Sequence, residues 1–141
     1  MIRVFWDTNL FIYMFEDYGP LTKQVRTLLG RIEVRRARII TSTMTLGEVL
    51  VGPLGKGRKD VATEYRAIFS SEAVTLVAFD EACAWHYAQI RLDKSIQRAD
   101  AIQLACAAQA QCDLFITNDD RLSRKIIPGI QFIVPLEKAF L

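Results

Sequence analysis

Asp7, Glu48, Asp100 and Asp119 are the residues of this sequence best placed to do chemistry. Each follows directly on an apolar, strand-like run or falls in the first turns of a helix-like stretch. If those junctions share one edge of a parallel sheet, the four carboxylates share one crevice. Two unit charges about 4 Å apart repel by roughly 4 kcal/mol at an effective dielectric near 20, so such a cluster must take up protons or recruit a cation. Oxygen donors without accompanying histidine or cysteine favour Mg2+ or Mn2+ over zinc. The chemistry in prospect is that of a hard divalent cation held by carboxylates.

The elements that must position these acids are legible as an alternation of strand and helix patterns. Ile2 to Trp6 is an apolar run too short for a helix, β-branched and aromatic as a strand covered on both faces requires, and it delivers Asp7 to a sheet edge. Thr8 or Asn9 is then expected to cap a short helix over Leu10 to Phe15, which ends before Tyr18-Gly19-Pro20. Val25, Leu28, Leu29 and Ile32 recur at helical spacing between Leu21 and about Arg36. A strand at Arg38 to Ser42 precedes a helix over about Thr43 to Val51 that carries Glu48. Thr45-Leu46-Gly47-Glu48 also fits a capping box, in which the acid only satisfies backbone donors, so Glu48 by itself supports either role. Gly52 to Lys59 reads as a basic, glycine-rich surface loop. It lacks the spacing of a nucleotide-binding P-loop.

A helix over Asp60 to Ser70, a strand over Val74 to Phe79 and a helix capped by Asp80 and running to about Leu92 come next. The Ala-rich segment Gln97 to Ala110 favours a helix that lies close against a neighbour, with Asp100 in its first turn. The helix dipole alone would welcome that charge. Arg98 and Asp100 are nevertheless the only charges between Gln97 and Cys112. Asp113 to Thr117 is a fourth strand, with Asn118-Asp119-Asp120-Arg121 at its carboxyl end, and Ile130 to Val134 is a fifth. Asx-rich turns are common in such places, so Asp119 is informative only as a member of the set.

Length and composition limit the classes of function. The 141 residues make a single domain, 1–141, long enough to bury a core, and 51% hydrophobic with 24% charged residues excludes disorder. No apolar run approaches the ~20 residues of a membrane span, and an early Asp interrupts any signal peptide, so a cytoplasmic location is expected. Cys83, Cys106 and Cys112 lack metal-site spacing and read as buried thiols. The single histidine, His86, rules out cleavage by a histidine acid-base pair. A net charge of +2 permits a nucleic-acid partner without requiring one.

The ordered set Asp7-Thr8-Asn9, Glu48 after a Thr-rich strand end, Asp100-Ala101-Ile102 opening an Ala-rich helix, and Thr117-Asn118-Asp119 resembles the PIN-domain ribonucleases, and among them the small VapC-type toxins of toxin-antitoxin pairs. The resemblance covers nearly the whole chain. It implies a three-layer α/β/α sandwich around a mainly parallel sheet, and an endoribonuclease that uses Mg2+ or Mn2+ to hydrolyse RNA and leave a 5′ phosphate. It makes Asp7, Glu48, Asp100 and Asp119 the metal-binding quartet, with Asn9 and Thr117 as polar support. Asp120 competes with Asp119 for the fourth place. A cognate antitoxin and homodimerisation are further implications of the resemblance, with exposed aromatic residues among Phe11, Tyr13, Phe15 and Tyr18 offering the antitoxin a groove. Arg98, Arg121, Arg124 and Lys125 are candidate phosphate contacts near two of the acids, and Lys56, Arg58 and Lys59 weaker ones. The same basic residues also serve as solvated surface.

Two other readings compete. One is a catalytically inactive PIN-like module that binds RNA or protein, against which the presence of all four acids argues. In the other, Asp7 accepts a phosphoryl group. A dehalogenase-type site would want a second Asp where Asn9 stands, and a receiver would want acids before the strand, whereas Asp7 is the first acid in the chain.

Overall fold

In the computed structural model, which describes residues 1–141, five parallel strands form one sheet in the order β3-β2-β1-β4-β5. They are β1 (Arg3–Trp6), β2 (Arg38–Ser42), β3 (Val74–Val77), β4 (Leu114–Ile116) and β5 (Phe132–Val134). Helices α1 (Thr8–Phe15) and α2 (Pro20–Arg35) connect β1 to β2, and α3 (Thr43–Gly55) and α4 (Lys59–Phe69) connect β2 to β3. The chain then crosses to the other side of β1 through α5 (Glu81–Ile90) and α6 (Arg98–Gln109) to reach β4. This is the expected α/β sandwich, and its sheet is parallel throughout.

Strand alternation divides the core between the two faces. Val4 and Trp6 of β1, with Leu114 and Ile116 of β4, pack with Leu10, Phe11, Val25 and Tyr65 of the first four helices. Phe5 and Phe115 point the opposite way, stack at 4.9 Å, and join the Ala-rich face of α6. The central strands are therefore sealed on both sides, as their unbroken apolarity demands. Small side chains at Ala101, Ala105, Ala107 and Ala108 let α6 lie close to its neighbours. The connection from β4 to β5 carries no helix and closes that layer with Leu122, Ile127 and Ile130. Within it Gly129 has φ +96°, and a Cβ there would lie 2.9 Å from the Ala108 carbonyl oxygen. Only glycine meets both constraints.

Two sequence expectations need correction. The cap of α1 is Asp7 itself, whose side chain accepts from the Thr8 amide, not Thr8 or Asn9. The loop expected from Gly52 to Lys59 shrinks to residues 56–58, because α3 runs on to Gly55 with Pro53 inside it and α4 begins at Lys59. Pro53 falls in the last turn, where its missing N–H forfeits a single intrahelical bond. The helix then closes through Arg58 N–H to the Pro53 carbonyl at 2.8 Å and Gly57 N–H to the Leu54 carbonyl at 3.2 Å, with Gly57 at φ +68°. That is a Schellman closure, and it explains the glycine without a phosphate. The three cysteines are buried and unpaired, as expected. No helix is long and apolar enough to cross a membrane.

Candidate active site

The sheet reverses its winding at β1, whose neighbours β2 and β4 are reached over opposite faces. In open α/β sheets the crevice at such a point, beyond the carboxyl ends of the strands, is the usual ligand site. Asp7 follows β1 and Asp119 follows β4, so the two strands flanking the crevice each end in an acid. Asp100 enters from the first turn of α6, and Glu48 lies on α3 behind β2.

Asp7 is held at both oxygens. Its Oδ1 accepts from the Thr8 amide at 2.8 Å, and its Oδ2 accepts from the Thr117 hydroxyl at 2.7 Å. Burial nevertheless pushes its pKa above the ordinary 3.8; the Thr117 and Thr8 hydrogen bonds oppose this, and the charge of Asp119 adds to it. Asp100 is likewise raised, first by burial, then by repulsion from Asp119 and Asp7, with Glu48 adding and Arg121 opposing. All four acids are therefore in one electrostatic neighbourhood.

Glu48 does not act as a capping residue. The cap of α3 is Ser42, whose hydroxyl accepts from the Thr45 amide, so α3 begins a turn before the supposed box. Glu48 Oε1 instead accepts from the Thr8 hydroxyl at 2.8 Å and lies 3.3 Å from the Gln103 amide nitrogen. Gln103 is a residue that the sequence reading missed. Its side chain is buried, its nitrogen donates to Thr45 Oγ1 at 2.7 Å, and its oxygen accepts from the Ser42 hydroxyl. It ties α6 to the start of α3 and to Glu48. One of two glutamines in an Ala-rich helix, Gln103 reads only as a helix former, so its burial opposite the acids had no signal in the sequence.

Asp119 carries the strongest pairing. Arg121 Nε and its backbone amide each donate to Asp119 Oδ1 at 3.0 Å, and Nη2 donates to Oδ2 at 2.5 Å. This bidentate fork holds the Asp119 carboxyl below its ordinary value. The same Nη2 stands 3.6 Å from Asp100 Oδ2. Asp120, the rival for the fourth position, is exposed and makes no side-chain hydrogen bond or ion pair, whereas Asp119 is also anchored by its backbone N–H, which donates to Thr117 Oγ1 at 3.1 Å. Thr117 thus bridges Asp7 and Asp119. Asn9 is exposed on α1 and Arg98 is exposed at the start of α6. Arg124 lines a different hollow with His86, Ile96 and Lys125, none of whose walls is one of the four acids. Lys125 itself is tied to Asp93 at 2.8 Å.

Donor chemistry fits a hard divalent cation, since the crevice offers carboxylate and hydroxyl oxygens and more negative charge than Arg121 can balance. The side chains are coupled but splayed: no three Asp, Glu, His or Cys groups converge closely enough to hold one ion.

A fold of this topology, with strand-terminal acids around the switch point, defines a class, and the comparisons name it. The PIN domain profile matches residues 4–126, and the chain belongs to the PIN domain family. Its fold is similar to that of solved VapBC structures. One is VapBC2 from Rickettsia felis bound to a DNA fragment from its promoter, with TM-score 0.75, 18% identity, and coverage of 95% of this chain and 98% of that one. Another is DNA-bound VapBC from Salmonella typhimurium, with TM-score 0.70, 20% identity and coverage of 96% and 99%. A toxin-antitoxin complex from Klebsiella pneumoniae gives TM-score 0.65 at 23% identity over 90% and 94%. No curated protein matches the chain by sequence.

Proposed function

We infer that this protein is a metal-dependent endoribonuclease and the toxin of a VapBC-type pair. The observation that carries the reading is the juxtaposition of Asp7 and Asp119 at the ends of adjacent strands, with Asp100 and Glu48 electrostatically coupled to them. Membership of the PIN family and the kinship in fold with VapBC complexes supply the context.

Asp7, Glu48, Asp100 and Asp119 would hold the Mg2+ or Mn2+, with Thr117 as support and Asn9 near the entrance on α1. Bound there, the ion would lower the pKa of a water and offset charge on the phosphate. The chain's own residues do the positioning. Thr8 N–H and the Thr117 hydroxyl each occupy one lone pair of Asp7 and leave others for a ligand. Thr8 and Gln103 fix the Glu48 carboxylate. Arg121, Arg98 and Arg124 would meet the RNA backbone as positioning contacts, with sequence choice left to bases.

A groove between α1, α3 and α4 supports an antitoxin partner. Ile12, Phe15, Val49, Pro53 and Val61 line it, Lys56 and Arg58 stand on its walls, and Glu48 connects it to the acids. An amphipathic antitoxin segment seated there would reach the catalytic crevice. A homodimer acting in the cytoplasm completes the reading.

The alternative, a catalytically inactive PIN-like module, draws on the ion pairing of Asp119 with Arg121 and the splayed acids. One experiment separates the two. Purified protein should cleave single-stranded RNA in Mg2+, stop in EDTA, and lose at least ~100-fold in rate on Asp100→Asn without losing its fold. Full activity of the variant would overturn the assignment, and RNA binding without cleavage would favour the module.

A further inference from the structure

Arg121 stands in an unusual relation to the four acids. Of the cations in ion pairs, Arg58 serves Asp60 and Lys125 serves Asp93, and only Arg121 is paired with members of the quartet. Its fork engages both oxygens of Asp119, and one of the same nitrogens reaches Asp100. The guanidinium is 57% exposed on a short turn after β4, so it can leave without disturbing the core. The Asp119 carboxylate accepts hydrogen bonds from Arg121 alone. An ion ligated by Asp119 would compete with that fork for the carboxylate charge, and the guanidinium and a dication beside the same oxygens would repel each other.

We propose that Arg121 is a resident counter-cation: it pairs with Asp119 and Asp100 in the metal-free protein, competes with the divalent ion for those two carboxylates, and is released when the ion binds. This rests on the metal-site reading above and specifies how that site is gated. The competition weakens ion binding at low free metal concentration. It also accounts for the splayed acids, since a planar guanidinium between Asp119 and Asp100 keeps them further apart than a small ion would. Once displaced, the guanidinium stays beside the site and is free to meet an RNA phosphate, which joins its two roles in sequence.

Mn2+ binding by calorimetry and thermal unfolding, with no RNA present, tests this on wild type, Arg121→Gln and Arg121→Lys. Removing a competing bidentate pair should tighten Mn2+ binding in Arg121→Gln about tenfold, the scale of one charge-assisted pair. The lysine variant keeps the charge but loses the fork and should fall between. In EDTA the glutamine variant should melt below wild type, because nothing offsets the acids. Its larger gain on saturation with Mn2+ should narrow or reverse that gap. Mn2+ affinity that is unchanged or weaker in both variants overturns the counter-cation role while leaving the metal site standing. No Mn2+ binding to any of the three proteins overturns the metal site and this proposal together.

Discussion

Gln103→Leu should be among the more damaging single substitutions that leave the acids untouched. Leucine nearly matches glutamine in volume, so the site does not become a cavity; what is lost is polar. Ser42 loses its acceptor and Thr45 loses its donor, and both hydroxyls are buried. Leaving the buried Ser42 O–H and the Thr45 oxygen unpaired, while Ser42 still accepts from the Thr45 amide, costs about 2–4 kcal/mol, against a total stability of roughly 5–15 kcal/mol for a domain. At about 3 °C per kcal/mol the melting temperature should fall by about 6–12 °C. Urea unfolding gives the free energy directly. Adding Thr45→Val removes one stranded group and should return about 1 kcal/mol, which a simple packing defect would not do. Glu48 loses its 3.3 Å contact but keeps the Thr8 hydroxyl, so Mn2+ affinity well below the melt should weaken without vanishing. Stability within about 0.5 kcal/mol of wild type would refute the claim that Gln103 is a buried polar tie.

Further outcomes follow from the same geometry. Asp7 has a folded pKa above its ordinary 3.8, so its stabilising contribution is complete below the unfolded value and is lost as pH rises through the folded one. Asp7→Asn, which can still cap α1, should therefore raise the melting temperature in EDTA at pH 7 by a few degrees, and the gain should shrink on acidification towards pH 4; a lower melting temperature at pH 7 would contradict this. Glu48→Gln should leave thermal stability within about 0.5 kcal/mol, since Ser42 and not Glu48 caps α3, while reducing Mg2+-dependent RNA cleavage at least ~10-fold; an unstable but active variant would restore the capping role. Gly129→Ala combines a positive φ with a 2.9 Å approach to the Ala108 carbonyl and should cost about 1–3 kcal/mol in urea unfolding. A silent substitution there would show that the β4–β5 connection adapts easily.

Much of the fold lay open in the sequence, and for definite reasons. β1 and β4 are apolar runs that end in acids, and a strand buried on both faces leaves no other pattern. The Ala-rich composition of α6 announced a close-packed helix. Glu48 was ambiguous because T-x-x-E describes a cap as well as a ligand, and only the position of Ser42 one turn earlier resolves it. The breaker signal at Gly52-Pro53 misled because a proline in a last turn costs little when Gly57 and Arg58 close the helix behind it. Gln103 and the Arg121 fork were illegible for a common reason. Both depend on which distant residues α6 and the post-β4 turn meet, and no local pattern encodes that.

If Asp7, Glu48, Asp100 and Asp119 form one divalent-cation site at the switch point of the sheet, Mn2+ must bind among them. Anomalous diffraction from crystals of the protein soaked in Mn2+ measures this without reference to activity. A Mn2+ peak is expected, bounded by carboxylate oxygens of Asp7, Asp100 and Asp119, with Glu48 direct or through water and Arg121 turned away. No peak at saturating Mn2+, or a peak elsewhere with the four acids unliganded and the Arg121 fork intact, would contradict it.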